Sequence, residues 1–307
     1  MIRQRPSIER IIRYAGGCAC ILALQLIAGC NSLKLPSSLA DRQEKIEKTD
    51  KDPLLAAPGK KSLRVSQFVF LSDFELQNDH PLFKELSDLR EQVVKELHLP
   101  NANKVIQVYL FENRDRYERF MQAKYPDLPK RRAFFVAQPK TVGGAEDLMV
   151  FTFWGDRIQE DLRHELTHAI LHSGLKDVPL WLDEGLAEFY ELPPDKLGIN
   201  PRHLEHIRQV SAVSFKPDLA HLEQLSQVQQ MTPTEYREAW AWVHLMLRSR
   251  PEMKDVLIGY LNQLRTNPAP GSLHARLAAL STDLSKELSR HLDELDGERT
   301  PAADSQQ

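Results

Sequence analysis

His164-Glu165-Leu166-Thr167-His168 constrains the fold more than any other stretch of the chain, because its two histidines can act together only if they lie on a helix. Side chains at i and i+4 stand one above the other on a single helical face, so both imidazoles can converge on one point with Glu165 beside them. The spacing predicts a helix over 156–172, begun by Asp156 and Gln159 in the positions of a capping box. At about 100° per residue, Ile158, Leu162, Leu166 and Ala169 form its apolar stripe and the histidines fall on the opposite side. This layout predicts Zn2+ held by His164 and His168, with Glu165 as the general base that activates a water.

A second helix is expected over 180–191, where Leu182, Leu186 and Phe189 share an apolar stripe while Glu184 and Glu188 share the other face. Hydrolytic zinc takes three protein ligands and keeps one position open for water, and Glu184 is the expected third ligand. Glu188, one turn on, is expected to accept the ring N–H of His164 and so fix its tautomer. Gly185 lacks a Cβ and is expected to let the two helices approach closely. Asp183 is a weaker candidate for the third ligand. His172 comes too early, and without the intervening glycine, for a three-histidine pattern, and is expected to line the cleft or face solvent.

The cysteines narrow the ligand chemistry. All three, Cys18, Cys20 and Cys30, lie at the N-terminus, so the body offers no thiolate, and a metal there must be held by His and carboxylate. Net charge is −3, yet residues 1–29 carry four arginines against one glutamate; the acidic excess therefore lies in the body, which argues against nucleic acid as a partner. Arg3, Arg5, Arg10 and Arg13 followed by an apolar run from Tyr14 to Gly29 read as an export signal over 1–29. Leu26-Ile27-Ala28-Gly29-Cys30 resembles the bacterial lipobox, which implies lipidation of Cys30, attachment to a membrane and a place in the cell envelope. Residues 30–61 are polar and charge-rich, with Pro53 and Pro58, and are expected to be a flexible tether.

The body is expected over 62–296, before a disordered tail at 297–307. Strand patterns over 63–71 and 105–111, short apolar runs over 133–137 and 148–153, and helical periodicities over 81–97 and 114–125 form an α/β subdomain, 62–155. The rest, 156–296, reads as helix, with further segments over 201–212, 234–249, 253–264 and two between 273 and 295. The fold class is therefore α+β.

Trp181-Leu182-Asp183-Glu184-Gly185-Leu186-Ala187, placed after the histidine helix, resembles the third-ligand motif of the gluzincin metallopeptidases. More closely, the chain resembles the peptidase MA-like domains of bacterial exported proteins over about 68–261. That resemblance implies a zincin-like fold with its cleft between the two subdomains, Zn2+ on His164, His168 and Glu184, Glu165 as base, and a peptide or protein substrate. It also implies that Tyr236, opening a Tyr-x-x-small-x-x-aliphatic helix, hydrogen-bonds the oxyanion of the tetrahedral intermediate. Tyr236 shares a helix face with Trp240, Val243 and Leu247, so core packing stays open as its role. The expected function is a membrane-tethered zinc metallopeptidase of the envelope. The alternatives are a non-catalytic lipoprotein using the fold as a protein-binding platform, and a hydrolase of non-peptide cell-wall bonds.

Overall fold

Alternating apolar residues in the first half of the body build one mixed sheet. Its strands are β1 (Lys61–Val65), β2 (Phe68–Ser72), β3 (Ile106–Phe111), β4 (Ala133–Pro139) and β5 (Glu146–Phe153), in the order β1-β2-β3-β5-β4. The three central strands run parallel and the two edge strands antiparallel to their neighbours. The computed structural model describes residues 55–139, 146–211 and 215–297; the export signal, Cys30, most of the tether and nearly all of the tail lie outside them. No helix among the described residues is long and apolar enough to cross a membrane.

The stretch 63–71 is not one strand but a hairpin folded at Ser66, which sits in the left-handed region with φ 56° and brings Leu63 opposite Phe70. No Gly or Asn marks that turn, so the period-2 pattern runs through it unbroken. The crossovers carry α1 (Pro81–Glu96) and α2 (Arg114–Lys124), which cover opposite faces of the sheet. Side chains alternate accordingly. Leu148 and Val150 join the core beneath α1, while Met149, Phe151 and Phe153 pack with Tyr117 and Phe120 of α2.

Every regular element described after the sheet is helical, and the α-helices are α3 (Ile158–Gly174), α4 (Leu180–Tyr190), α5 (Pro201–Ser211), α6 (Leu219–Leu222), α7 (Pro233–Arg248), α8 (Pro251–Gln263), α9 (Leu273–Ala278) and α10 (Leu284–Gly297). The fold is α+β, with a sheet-based half and a helical half. The capping box expected at Asp156 does not form. The N-cap is Arg157 without a side-chain cap, Asp156 instead accepts from Arg132 Nη2 at 3.1 Å, and Gln159 donates to Glu85 at 2.7 Å. Tertiary partners have taken both side chains from the local motif. A capping box does start α7, from Thr232 and Glu235 ahead of Pro233.

Helix α3 lies between the sheet, α1 and α4, so it is buried on nearly every side and not only along its apolar stripe. His168 is consequently 6 % exposed and Glu165 9 %. A polar face with so little water must satisfy itself with partners, and these partners make up the site.

Candidate metal centre

The face of α3 that carries His164 and His168 meets the face of α4 that carries Glu184. His164 Nε2 and His168 Nε2 are 3.3 Å apart, and Glu184 Oε2 lies 3.6 Å from each. A point equidistant from three atoms so spaced is about 2.0 Å from each, within the usual Zn–N and Zn–O range. Glu184 Oε2 is buried and accepts no hydrogen bond among the described residues. A buried carboxylate oxygen left that way is costly unless a cation completes it. The donor set, two imidazoles and one carboxylate, fits zinc.

Electrostatics concentrates positive charge at the same point. Burial alone would lower the affinity of His168 for a proton, yet Asp183 and Glu184 beside it raise its pKa to about 10. Burial would raise Glu184, yet His164 and His168 hold it at about 2. Where nothing else neutralises the carboxylates, the imidazoles take up protons, and a divalent cation supplies that charge in their place. Burial pushes Glu165 above its ordinary value, Glu184 adding to the effect and His164, His168 and Arg131 working against it.

Each histidine has its outer nitrogen against a carboxylate, although not always the expected one. His164 Nδ1 lies 3.2 Å from Glu191 Oε2, and Asn200 Nδ2 donates to the other Glu191 oxygen at 3.1 Å. Glu188, expected in that place, instead pairs with His203 Nε2 at 2.8 Å. The reason lies in helix geometry. Glu191 is two turns beyond Glu184, at i+7, where α4 ends against the start of α5. That i, i+4, i+7 row of acids was the signal available for Glu191.

Asp183 does not join the donor triangle. Its two oxygens face His168 Nδ1 at 3.0 Å and His172 Nε2 at 2.8 Å. His172 therefore neither lines the cleft nor faces solvent. It is 5 % exposed, behind Phe135 of β4, whose ring centroid is 5.3 Å from the imidazole. Gly185 does allow a close approach, but of α7 and not α3: a Cβ there would meet Ala239 O at 2.6 Å and Val243 Cγ2 at 2.9 Å.

The donors open into a cleft of about 270 Å³ between the two halves, lined by Arg131, Phe134, Phe135, Glu165, His168 and Glu184 among others. Tyr236, at the start of α7, sits half-buried beside it, and burial pushes its phenol up to about 12. Arg131 Nη2 donates to Tyr236 Oη at 2.7 Å, a pairing that the sequence did not reveal.

Arg163, next to the first histidine, is fully buried. It donates to the carbonyls of Tyr190 at 3.0 Å, Glu191 at 3.2 Å and Leu192 at 2.7 Å, and to Glu85 at 3.1 Å. It thus ties the C-terminus of α4 to α3 and holds the two donor faces together. A cation one residue before His164, at the margin of the apolar stripe, is its only trace in the sequence.

No curated protein matches the chain. Residues 159–269, from α3 to just beyond α8, are similar to a family model described as a protein of unknown function (DUF1570), so the matched segment holds all three donors, Glu165 and Tyr236 but neither the sheet nor Arg131.

Proposed function

We propose that the protein is a membrane-tethered zinc metallopeptidase that hydrolyses peptide bonds in the cell envelope. One observation carries this reading: three donor atoms from two helices are spaced 3.3, 3.6 and 3.6 Å apart in a cleft that also holds Glu165. The similarity of the His-Glu-x-x-His and Trp-Leu-x-Glu-Gly strings to gluzincins supports it. The envelope location and the tether rest on the lipobox ending at Cys30.

Bound there, zinc would supply a water acidic enough to lose its proton near neutral pH and a Lewis acid at the scissile carbonyl. His164, His168 and Glu184 would hold it, with Glu191 and Asp183 orienting the two rings. Glu165 accepts the proton of the attacking water and returns it to the departing amine, a role suited to a buried carboxylate of raised pKa. Tyr236 donates to the developing oxyanion, and loss of one such donor costs on the order of 3 kcal/mol in the barrier.

The test uses the full chain in detergent, incubated with an unstructured protein, with zinc and with a chelator. Cleavage that zinc supports, the chelator stops and Glu165→Gln abolishes is the expected outcome, with metal content unchanged in the variant. Full activity in Glu165→Gln removes the assigned base. Metal binding with no turnover on any peptide would leave a binding platform instead.

A further inference from the structure

Arg131 lies in the segment between α2 and β4, and Tyr236 lies at the start of α7, so the cleft is bridged from the sheet half to the helical half by one hydrogen bond of 2.7 Å. The same guanidinium sits 5.7 Å from the centroid of the Tyr236 ring. A guanidinium carries donors only and stays protonated, so the phenol oxygen must be the acceptor in this contact. The single O–H of Tyr236 therefore cannot point at Arg131. Among the described residues it has no hydrogen-bond acceptor, Arg131 itself lines the cleft with Glu165 and Glu184, and the phenol is close enough to Glu184 and His164 to feel their charge. Donation from a charged group also polarises the phenol and makes it a stronger donor in its turn.

We propose that Arg131 is a positioning residue that fixes the hydroxyl of Tyr236 as a donor aimed into the cleft, at the carbonyl oxygen of a bound peptide as it becomes an oxyanion. The proposal rests on the metallopeptidase reading. Arg131 acts through Tyr236 and makes no bond to substrate. Its competitor is a direct role, in which Arg131 binds a substrate carboxylate; the neighbouring Lys130, also in the cleft wall, fits that competitor equally well.

A double-mutant cycle on the full chain separates the two. Arg131→Gln is expected to lower kcat by about 10-fold or more, the size of a lost charge-assisted hydrogen bond, with KM changed less than about twofold. In a Tyr236→Phe background the same substitution is expected to change kcat by less than about twofold. Multiplicative losses, or a loss carried by KM, overturn the proposal in favour of direct substrate binding. A second readout needs no turnover: in metal-free protein, Arg131→Gln should produce a tyrosine near-ultraviolet difference band in the native background and none in the Tyr236→Phe background. A band that persists without Tyr236 overturns the pairing even in an active enzyme. Native protein that cleaves no peptide overturns the peptidase reading and this role with it, whatever the spectra show, so the two failures can be told apart.

Discussion

Asp183 stands one position before a donor carboxylate and does different work. A helix turns about 100° per residue, so Asp183 and Glu184 diverge, and only Glu184 reaches the donor triangle while Asp183 lies between His168 and His172. One oxygen is hydrogen-bonded to His172 and the other makes an ion-pair contact with His168 Nδ1, the two histidines pull the Asp183 pKa down against the effect of burial, and its charge favours the ring orientation that turns His168 Nε2 toward the cleft. Asp183→Asn should weaken zinc binding by about 10–100-fold, measured by competition with a chromogenic chelator, with the fold retained by circular dichroism. An unchanged affinity would make the Asp183–His168 contact incidental. Glu191 has the same relation to His164. A sequence reading of these two acids needed to know where α4 stops and α5 begins, because Asn200 holds Glu191 from outside the helix.

At the scale of elements, the site depends on how α3, α4 and α7 are held against one another. Arg163 caps the carbonyl end of α4 from within α3 and has no exposed surface. Arg163→Met should cost about 3–5 kcal/mol in urea unfolding, because it strands three carbonyls and Glu85 while filling the space with an apolar chain. A cost below about 1 kcal/mol would show that the clamp is dispensable. Gly185 controls the other contact. Gly185→Ala puts a methyl 2.6 Å from Ala239 O, closer than backbone yields cheaply, and should destabilise by about 1–3 kcal/mol. It should also displace α7 and with it Tyr236, so that kcat falls even at temperatures where the variant is fully folded. Unaltered kcat in folded Gly185→Ala would separate α7 from the chemistry.

At the scale of the whole molecule, two buried histidines outside the donor triangle couple stability to pH. His244 of α7 and His291 of α10 face each other, Nδ1 to Nε2, at 2.9 Å. Burial, with His291 and Arg248 nearby, holds His244 at about 3, against a lesser upward pull from the Leu197 carbonyl. His291 is also lowered by burial, with Arg290 working the same way and Glu294 and Glu287 against it. A histidine kept neutral in the fold leaves stability intact above its unfolded pKa. As pH falls from about 6.5 toward 3, the unfolded chain binds a proton that the folded one refuses, and stability is lost. The His244 contribution to that loss should be on the order of 3 kcal/mol between pH 7 and pH 4, read as a difference in urea unfolding free energy. His244→Gln should flatten that part of the slope; an unaltered slope would locate the acid sensitivity elsewhere.

Local periodicity is enough to place His164 and His168 on one helix face and Glu184 on a face of the next helix, which the structure brings together, and to separate a sheet-bearing half from a helical one. Those features depend on residues three to seven apart, and neighbours at that spacing are dictated by the helix or strand itself. The hairpin at Ser66 was lost because nothing in its residues announced a turn, and the cap at Asp156 because Arg132 and Glu85 compete for its members. The same limit applied to every pairing across elements: Glu191 and not Glu188 on His164, His172 behind Asp183, Gly185 against α7, and Arg131 on Tyr236 across 105 residues. Such pairs depend on how elements distant in the chain dock, and that is decided by the burial of all their apolar faces at once, a quantity that no window of sequence contains.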